Sequence, residues 1–304
     1  MLYNACMKCL FIYNPVSGQG QIRNHLYDIM AILSKACDDL EVFVTRKHGD
    51  AAKCLTKKPN DYDLIVCSGG DGTLNEVVNG MINNDHQSHI GYIPAGTTND
   101  FASSLGISKD MVEATEQLVK DHTMSFDVGK INDTYFCYIA AFGAFTKVSY
   151  DTPQDEKKVF GHLAYVLEGI KSLPDIKSYQ IKAVVDDEEV IEGHFVYGMI
   201  TNTYTVGGVY NFDRSQVSLD DGYLELTLIR EITSMEDMGY LIQYLMGMIT
   251  ESPLIIRRKV KKVSITSEKK LAWCIDGEFG GKMSESHIEV HPKAISLCIQ
   301  KDEK

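Results

Sequence analysis

The sequence predicts a three-layer α/β domain with a parallel sheet, followed by an all-β, sandwich-like domain. Apolar strand-like runs alternate with helical patterns over residues 1–127, and short β runs dominate residues 128–290. The length of 304 residues supports about two domains at roughly 150 residues each. The hydrophobic content of 44% is enough to give both domains full cores.

The α/β prediction rests on runs that can be read one by one. Strands are expected near 9–13, 41–45, 64–67 and 90–93, and helices near 21–36, 50–57, 73–83 and 110–120. Each strand is an almost continuous apolar run, which is typical of strands that are buried on both faces. Such strands favour a parallel sheet with helices on both sides.

Residues 128–290 have a different sequence pattern. Its β runs are expected at 135–141, 179–185, 190–201, 224–229, 260–266 and 288–290, separated by Asp- and Gly-rich turns. Two apolar helical patterns, at 161–173 and 235–248, interrupt these runs. An antiparallel sandwich with two additional helices is the expected result.

The loop after the third strand carries the most informative pattern in the chain. Glycines at 69, 70 and 72 are expected to take up positive φ and to bring backbone N–H groups close to an anion. A helix that begins near Thr73 adds the positive end of its dipole. Because Asp71 would repel a phosphate unless a cation lay between them, the pattern predicts a polyphosphate bound with Mg²⁺. The alternative is an ordinary glycine-rich turn with a solvated Asp71.

Two other strand ends have a similar composition. Residues 14–18 follow the first strand, and residues 94–101 follow the fourth, where a short helix is expected at about 100–105. The carboxyl ends of parallel strands meet at one edge of the sheet, where ligands of open α/β sheets bind. The three loops together therefore predict a nucleotide site.

Four motifs resemble those of the soluble lipid kinases, which include bacterial diacylglycerol kinases, sphingosine kinases and ceramide kinases. They are N-P-x-S-G at 14–18, G-G-D-G-T-L-N-E at 69–76, P-x-G-T-x-N-D-F-A at 94–102 and I-D-G-E at 275–278. The resemblance implies an ATP- and Mg²⁺-dependent kinase of the short bacterial type that phosphorylates diacylglycerol. It also implies an active site in the cleft between the two domains and a segment, 291–304, that returns to the first domain.

The resemblance implies a set of residues that bind the nucleotide. They are Asn14, Pro15, Ser17, Gly18, Thr45, Gly69, Gly70, Asp71, Gly72, Thr73, Asn75, Glu76, Gly96, Thr97, Asn99, Asp100 and Asp127. Asp71 is expected to reach the metal through water, and Asp100 and Asp127 to complete an acidic network. For Asp127, a hinge aspartate that caps a turn is the alternative.

A proton acceptor for the attacking hydroxyl is expected within I-D-G-E, where the family has its base. Asp276 and Glu278 lie two residues apart, and Gly277 would let both carboxylates crowd one site. Like charges held together raise the pKa of one of them, which makes that group a better base near neutral pH. Glu278 is the first candidate and Asp276 the second, with Asp71 completing the catalytic set. A solvated Asp-Gly turn is the alternative.

Residues 218–223 resemble a second, structural Mg²⁺ site of the family. The implied ligands are the Asp221 carboxylate and the backbone oxygens of Ser218 and Tyr223. A plain hairpin turn is the alternative. The upstream segment 206–211 keeps paired glycines but lacks the proline and alanine that are usual in the family.

Composition limits the partners and the location. The net charge of −12 argues against nucleic acid as a main partner. The eight cysteines are scattered, as expected for reduced thiols in a cytoplasmic protein, and Cys6-Met-Lys-Cys9 has no second pair to form a zinc site. No run approaches the ~20 apolar residues of a transmembrane helix. We expect a cytoplasmic enzyme that contacts the membrane surface transiently to collect its lipid. A homodimer is the candidate oligomeric state.

Two other points stay open in the sequence. The basic run at 257–262 suits either anionic headgroups or an edge strand protected by charge. Two rival functions are a kinase of a soluble acceptor, in the manner of NAD kinase, and a nucleotide-binding regulator without activity. The four carboxylates at 71, 100, 276 and 278 argue against the regulator, because a degenerate copy has no chemical reason to keep them.

Overall fold

The structure is a computed structural model that describes residues 7–97, 99–120, 122–144, 177–206, 210–211, 217–245, 248–249 and 251–299. The chain forms two compact units. The first consists of Met1–Val128, Tyr204–Gly208 and Pro292–Lys304, and the second of Gly129–Thr203 and Val209–His291.

The first unit is built from alternating strands and helices. Its strands are β1 (Lys8–Tyr13), β2 (Asp39–Val44), β3 (Leu64–Gly69) and β4 (His89–Pro94). Its helices are α1 (Leu26–Ala36), α2 (Asp50–Lys57), α3 (Asp71–Asn83), α4 (Asp100–Ser104) and α5 (Met111–Leu118). β1 pairs in parallel with β2 and β3, and β3 pairs in parallel with β4. α2 packs against α3, and α1 packs against α5.

The helix expected over 21–36 begins later, at Leu26. A 3-10 helical segment, Ser17–Asn24, precedes it, and Gly18, Gln19 and Gly20 have positive φ values of 54°, 66° and 70°. Left-handed residues cannot continue an α-helix, so the chain turns here before α1 starts.

The second unit is an antiparallel sheet. Its elements are β6 (Thr134–Phe136), β7 (Ile139–Gly143), β8 (Tyr179–Val185), β9 (Glu189–Thr201), β11 (Tyr210–Asn211), β12 (Leu224–Arg230), α6 (Met235–Leu245), β13 (Ile255–Val260) and β14 (Lys262–Ile275). β5 (Thr123–Ile131) and β15 (Glu278–Cys298) run through both units, and β10 (Thr205–Val206) belongs to the first.

β7 and β8 share one position in this sheet. Both pair antiparallel with β9 on one side and with β14 on the other. β7 pairs with residues 197–201 of β9 and 273–275 of β14. β8 pairs with residues 189–195 of β9 and 263–267 of β14. The two strands therefore lie end to end between the same neighbours. Side chains from β7, β9, β12 and β14 fill the core below them, including Phe142 and Trp273, whose ring centroids are 5.0 Å apart.

The elements of the structure agree with the predicted ones in type for both parts of the chain. The mixed α/β first part and the β-rich second part are confirmed, whereas the three-layer arrangement stays a prediction. The run at 135–141 forms two strands instead of one, because the Cys137 and Tyr138 N–H groups bond to a side chain, Asp276. The helix predicted at 161–173 lies outside the described residues.

The C-terminal end of β15 joins the sheet of the first unit. Leu297 and Cys298 pair in parallel with Ile90 and Gly91 of β4. The strand order of that sheet is therefore β15, β4, β3, β1 and β2.

Candidate functional site

Three loops of the first unit lie directly against each other at the carboxyl ends of β1, β3 and β4. A Cβ atom on Gly18 would lie 2.0 Å from the carbonyl oxygen of Ala95, and one on Gly96 would lie 2.7 Å from Cα of Gly70. The Ala95 N–H group also donates to the carbonyl oxygen of Gly69 at 2.8 Å. We call this continuous backbone surface the three-loop surface, and it is where the nucleotide site was predicted.

The glycines at 69, 70 and 72 do not adopt a left-handed backbone, and Gly69 serves close packing. Gly69, Gly70 and Gly72 all lack positive φ, and Gly70 has φ −85° and ψ −178°. A Cβ atom on Gly69 would lie 2.4 Å from Cβ of Thr73. The predicted positive φ was therefore wrong for these residues, and in this surface it occurs at Gly18 and Asn99 instead.

Asp71 connects two helices of the first unit. It is the first residue of α3, and its Oδ2 accepts the N–H group of Asp100, the first residue of α4, at 3.1 Å. Asp71 is half-buried and Asp100 is buried. The structure thus brings these two predicted residues together beside the three-loop surface, with the Asp71 carboxylate bonded to the Asp100 backbone.

Amide side chains fix the shape of this surface. The Asn14 Nδ2 group donates to Thr73 Oγ1 at 3.4 Å, and Asn14 Oδ1 accepts the N–H group of Val16 at 3.1 Å. Asn99 Oδ1 accepts the Gly96 N–H group at 2.9 Å, and its Nδ2 donates to the Gly96 carbonyl oxygen at 2.8 Å. These contacts make Asn14 and Asn99 supports of the loops.

The remaining predicted nucleotide residues have varied surroundings. Thr45 is buried, and its N–H group donates to the carbonyl oxygen of Tyr13 at 3.0 Å. Ser17 is half-buried, with its Oγ 3.6 Å from where a Cβ on Gly70 would lie. Asn75 Oδ1 accepts from Asn79 at 3.1 Å. The exposed members of the set are Pro15 and Thr97.

Asp127 lies on β5 and is buried. Its Oδ1 accepts the N–H group of Lys293 at 2.7 Å, and Lys293 has a φ of 51°. The contact holds a residue with left-handed backbone inside β15, near the point where this strand enters the first unit.

Glu76 bonds to the start of a helix, and its predicted role as a nucleotide contact stays a prediction. Its Oε1 accepts the N–H group of Gly49 at 2.6 Å, and its Oε2 accepts that of Ala51 at 3.1 Å. Gly49 is the residue before α2 and Ala51 is the second residue of the helix, which has no side-chain cap of its own. Both carboxylate oxygens are thus engaged, and His48 Nδ1 lies 3.1 Å from Oε1.

Replacing Glu76 by alanine should lower the free energy of unfolding by about 1–2 kcal/mol, the usual loss for a helix cap, and leave the KM for ATP unchanged. Urea unfolding and steady-state kinetics check the two effects. Glu116→Ala, at an exposed position of α5, is the matched control. A raised KM for ATP with unchanged stability would support the predicted nucleotide contact.

Asp276, in the second unit, is a buried backbone anchor. Its carboxylate accepts the N–H groups of Cys137 at 2.6 Å, Tyr138 at 3.0 Å and Ile139 at 3.0 Å. Its own N–H group donates to the carbonyl oxygen of Ile139 at 2.9 Å. Asp276 has a φ of 45° and Gly277 one of 85°, so the chain turns sharply between β14 and β15.

Glu278 follows this turn as the first residue of β15, and it is exposed. The expectation that Asp276 and Glu278 crowd one site is therefore corrected, because one carboxylate is bound inside the fold and the other faces solvent. Of these two carboxylates, that of Glu278 is the one exposed to solvent.

In the predicted structural metal site, one implied ligand, the Asp221 carboxylate, is paired with an ammonium group. Asp221 Oδ2 lies 2.7 Å from Lys259 Nζ, and Asp221 Oδ1 accepts the Tyr223 N–H group at 3.1 Å. Ser218 Oγ donates to Asp220 Oδ1 at 3.0 Å. The ammonium group thus takes the place of a metal beside Asp221. Among the residues that the structure describes, no group of three or more His, Cys, Asp or Glu side chains could hold a metal ion.

The basic run of β13 and β14 is matched by acidic side chains. Arg258 makes two hydrogen bonds to Glu189, at 2.7 and 2.8 Å. Lys262 pairs with Asp187. β13 pairs with β12 alone among the described strands. These contacts favour the charged edge strand over a headgroup site.

Glu225 was not predicted as a site residue. It lies on β12 and is 4% exposed, and neither carboxylate oxygen has a hydrogen-bond partner in another residue. Burial raises the pKa of this carboxyl to about 8, although the charges of Lys259 and Arg257 act in the opposite direction. Its alternation with leucines in L-E-L-T-L-I was typical of a solvent-facing position, so no local signal marked it.

Within the described residues, no helix is both long and apolar enough to cross a lipid bilayer.

Comparison with known proteins gives matches over nearly the whole chain. Residues 8–131 match the diacylglycerol kinase catalytic domain, and residues 142–299 match the YegS C-terminal NAD kinase beta sandwich-like domain. A diacylglycerol kinase of Staphylococcus haemolyticus is 33% identical over 97% of this chain and 89% of its own. One of Staphylococcus aureus is 35% identical over 92% and 90%. A crystal structure of a diacylglycerol kinase from Bacillus anthracis str. Sterne has a TM-score of 0.75 at 26% identity, covering 96% of this chain and 97% of its own.

Proposed function

Because this chain belongs to the diacylglycerol kinase family and is a lipid kinase, we propose that it transfers the γ-phosphate of ATP to the free hydroxyl of diacylglycerol. The products are phosphatidic acid and ADP. The hydroxyl oxygen forms a bond to the γ-phosphorus, and the bond from that phosphorus to the β,γ-bridging oxygen breaks. Because diacylglycerol is a membrane lipid, we place its capture at a membrane surface.

The observation that carries this proposal is the three-loop surface beside Asp71. Because Gly18 and Gly96 carry no Cβ atom, the loops pack backbone against backbone, and glycine-rich loops of this kind bind phosphate oxygens through main-chain N–H groups. The first turn of α3 adds further N–H groups and its dipole. A surface of this kind suits the phosphates of ATP.

Asp71 and Asp100 are the carboxylates that we propose to hold Mg²⁺, directly or through water. One or two carboxylates together with phosphate oxygens are the usual protein ligand set for this ion, so the pair is sufficient. When bound, Mg²⁺ neutralises charge between the β- and γ-phosphates. The hydrogen bond from the Asp100 N–H group keeps the Asp71 carboxylate oriented.

Glu278 is the proposed proton acceptor. An exposed carboxylate can reach the lipid hydroxyl and take its proton as the oxygen attacks phosphorus. Asp276 is a positioning residue in this proposal, because its three backbone hydrogen bonds hold the turn from which Glu278 projects.

Transfer of labelled γ-phosphate to dioleoylglycerol in detergent micelles tests the function. We expect labelled phosphatidic acid from the wild-type protein and a loss of about a hundredfold or more in kcat/KM for Asp71→Asn, since one metal-binding oxygen is lost. The asparagine still offers an oxygen to the Asp100 N–H group, so stability should stay near wild type. Asp133→Asn, at an exposed turn, is the matched control.

The acceptor panel also contains sphingosine, ceramide and NAD. Labelled phosphate on NAD alone would contradict a lipid substrate and favour a kinase of a soluble acceptor. Tight ATP binding without transfer to any acceptor would contradict the kinase reaction itself.

A further inference from the structure

Glu225 and Thr227 project from one face of β12, and both are buried without a hydrogen-bond partner in another residue. Glu225 is 4% exposed and Thr227 is 1% exposed, and their three side-chain oxygens bond to no other residue. The alternate residues of the strand, Leu224, Leu226 and Leu228, fill the main core on the other face. The polar pair therefore lies on the second buried face of the sheet.

The strand neighbours do not satisfy Glu225. Thr201 of β9 stands opposite it, but the Thr201 hydroxyl donates to the backbone oxygen of Glu225, at 3.5 Å. Lys259 of β13 stands on the other side, but its Nζ is bonded to Asp221 at 2.7 Å. The polar side chains on both neighbouring strands thus bond to other atoms and not to the Glu225 carboxyl group.

The same face is apolar farther along the sheet. Met199 stands opposite Thr227, and Ala141 of β7 stands opposite Met199 in the next strand. Ile139 lies in the row of Thr201 and Glu225. All three of these apolar side chains are buried. Glu225 and Thr227 therefore border a row of buried apolar side chains within the second unit.

Two buried polar groups without partners lower stability, because each has lost its hydrogen bonds to water. Leucine and valine would fit the same strand face without that cost. Unsatisfied polar groups are rare in folded proteins, and their retention is typical of positions that serve a ligand.

We propose that Glu225 and Thr227 form a polar subsite that binds the ester carbonyl groups of the glycerolipid acceptor, while the adjoining surface of Ile139, Ala141 and Met199 contacts its acyl chains. This inference rests on the proposed function. A threonine hydroxyl and a neutral carboxyl group each donate one hydrogen bond, which matches the two carbonyl acceptors of a diacylglycerol. The raised pKa of Glu225 favours this neutral form.

Three variants test the subsite through KM for dioleoylglycerol. Glu225→Leu should raise KM about tenfold and Thr227→Val about fivefold, as expected when buried hydrogen bonds to a ligand are lost, with kcat near wild type. Glu225→Gln should stay within about threefold of wild type, because the amide still donates. An ether-linked analogue without carbonyls should bind the wild-type protein weakly, and the variants should not weaken it further.

The unfolding temperature distinguishes ligand binding by Glu225 from a structural role of this residue. Glu225→Leu should raise the unfolding temperature, since it removes a buried group without a partner. Glu188→Leu, in the exposed turn before β9, is the control. A lowered unfolding temperature with unchanged KM would show that Glu225 is structural and would overturn the proposal.

Binding without catalysis separates the subsite from the proposed reaction. Dioctanoylglycerol should raise the unfolding temperature of the wild-type protein in the absence of ATP, and much less that of Glu225→Leu. If this difference is found but no phosphate is transferred, the proposed function fails and the subsite stands. Equal shifts for both proteins would overturn the subsite. A Glu225→Gln variant whose KM for dioleoylglycerol rises as much as that of Glu225→Leu would overturn the assignment of Glu225 as a hydrogen-bond donor to an ester carbonyl.

Discussion

Replacing Glu278 by glutamine is expected to lower kcat for diacylglycerol phosphorylation about a thousandfold, within the range that a general base contributes. The amide has nearly the shape of the carboxylate but cannot accept the proton of the attacking hydroxyl. Because Glu278 is exposed, the free energy of unfolding should stay within about 0.5 kcal/mol of wild type. Initial rates with labelled ATP and urea unfolding measure the two quantities.

Glu285→Gln is the matched control, since Glu285 is exposed on the same strand, β15. It should leave kcat unchanged. A Glu278→Gln enzyme that retains more than a tenth of the wild-type kcat would contradict the assignment of the base to this residue. ATP binding, measured by calorimetry, should be the same in all three proteins.

Replacing Asp276 by alanine is expected to have the largest effect on stability, a loss of about 3 kcal/mol or more. Three backbone N–H groups would lose a buried acceptor together, and each such group costs about 1–3 kcal/mol when it stays unsatisfied. Asp276→Asn keeps one acceptor oxygen, so its loss should be smaller. Denaturant unfolding of the two variants beside the wild type provides the measurement.

Activity distinguishes the two carboxylates of the turn. Asp276→Ala should reduce kcat because the segment that carries Glu278 is no longer held, and Asp276→Asn should recover part of that rate. If Asp276→Asn instead lost all transfer while remaining as stable as wild type, Asp276 would be the base and Glu278 would not.

The agreement between sequence and structure is best where one local pattern decides an element. The helix predicted at 50–57 is α2, Asp50–Lys57, and the apolar run at 64–67 lies within β3. The loops that follow β1, β3 and β4 meet, as the parallel strand ends imply. For these elements, hydrophobic periodicity and turn residues within a few positions were sufficient.

Side-chain roles were harder to predict than elements. Glu76 lies in a motif that resembles a nucleotide loop, yet its partners are Gly49 and Ala51 of another helix. Asp276 and Glu278 looked equivalent as neighbouring carboxylates, but one bonds to residues 137–139 and the other is exposed. Glu225 looked like a surface residue and is buried.

The sequence by itself determined the α/β first part, the β-rich second part, the family and the position of the three loops. The tertiary structure decided which carboxylates are available for chemistry. The physical reason is that burial and hydrogen bonding of a carboxylate depend on segments far away in the chain. Asp276 reaches back to Cys137, and Glu225 is buried between neighbours on β9 and β13 that are distant in sequence. Local periodicity carries no record of such distant neighbours, so only the folded chain shows them.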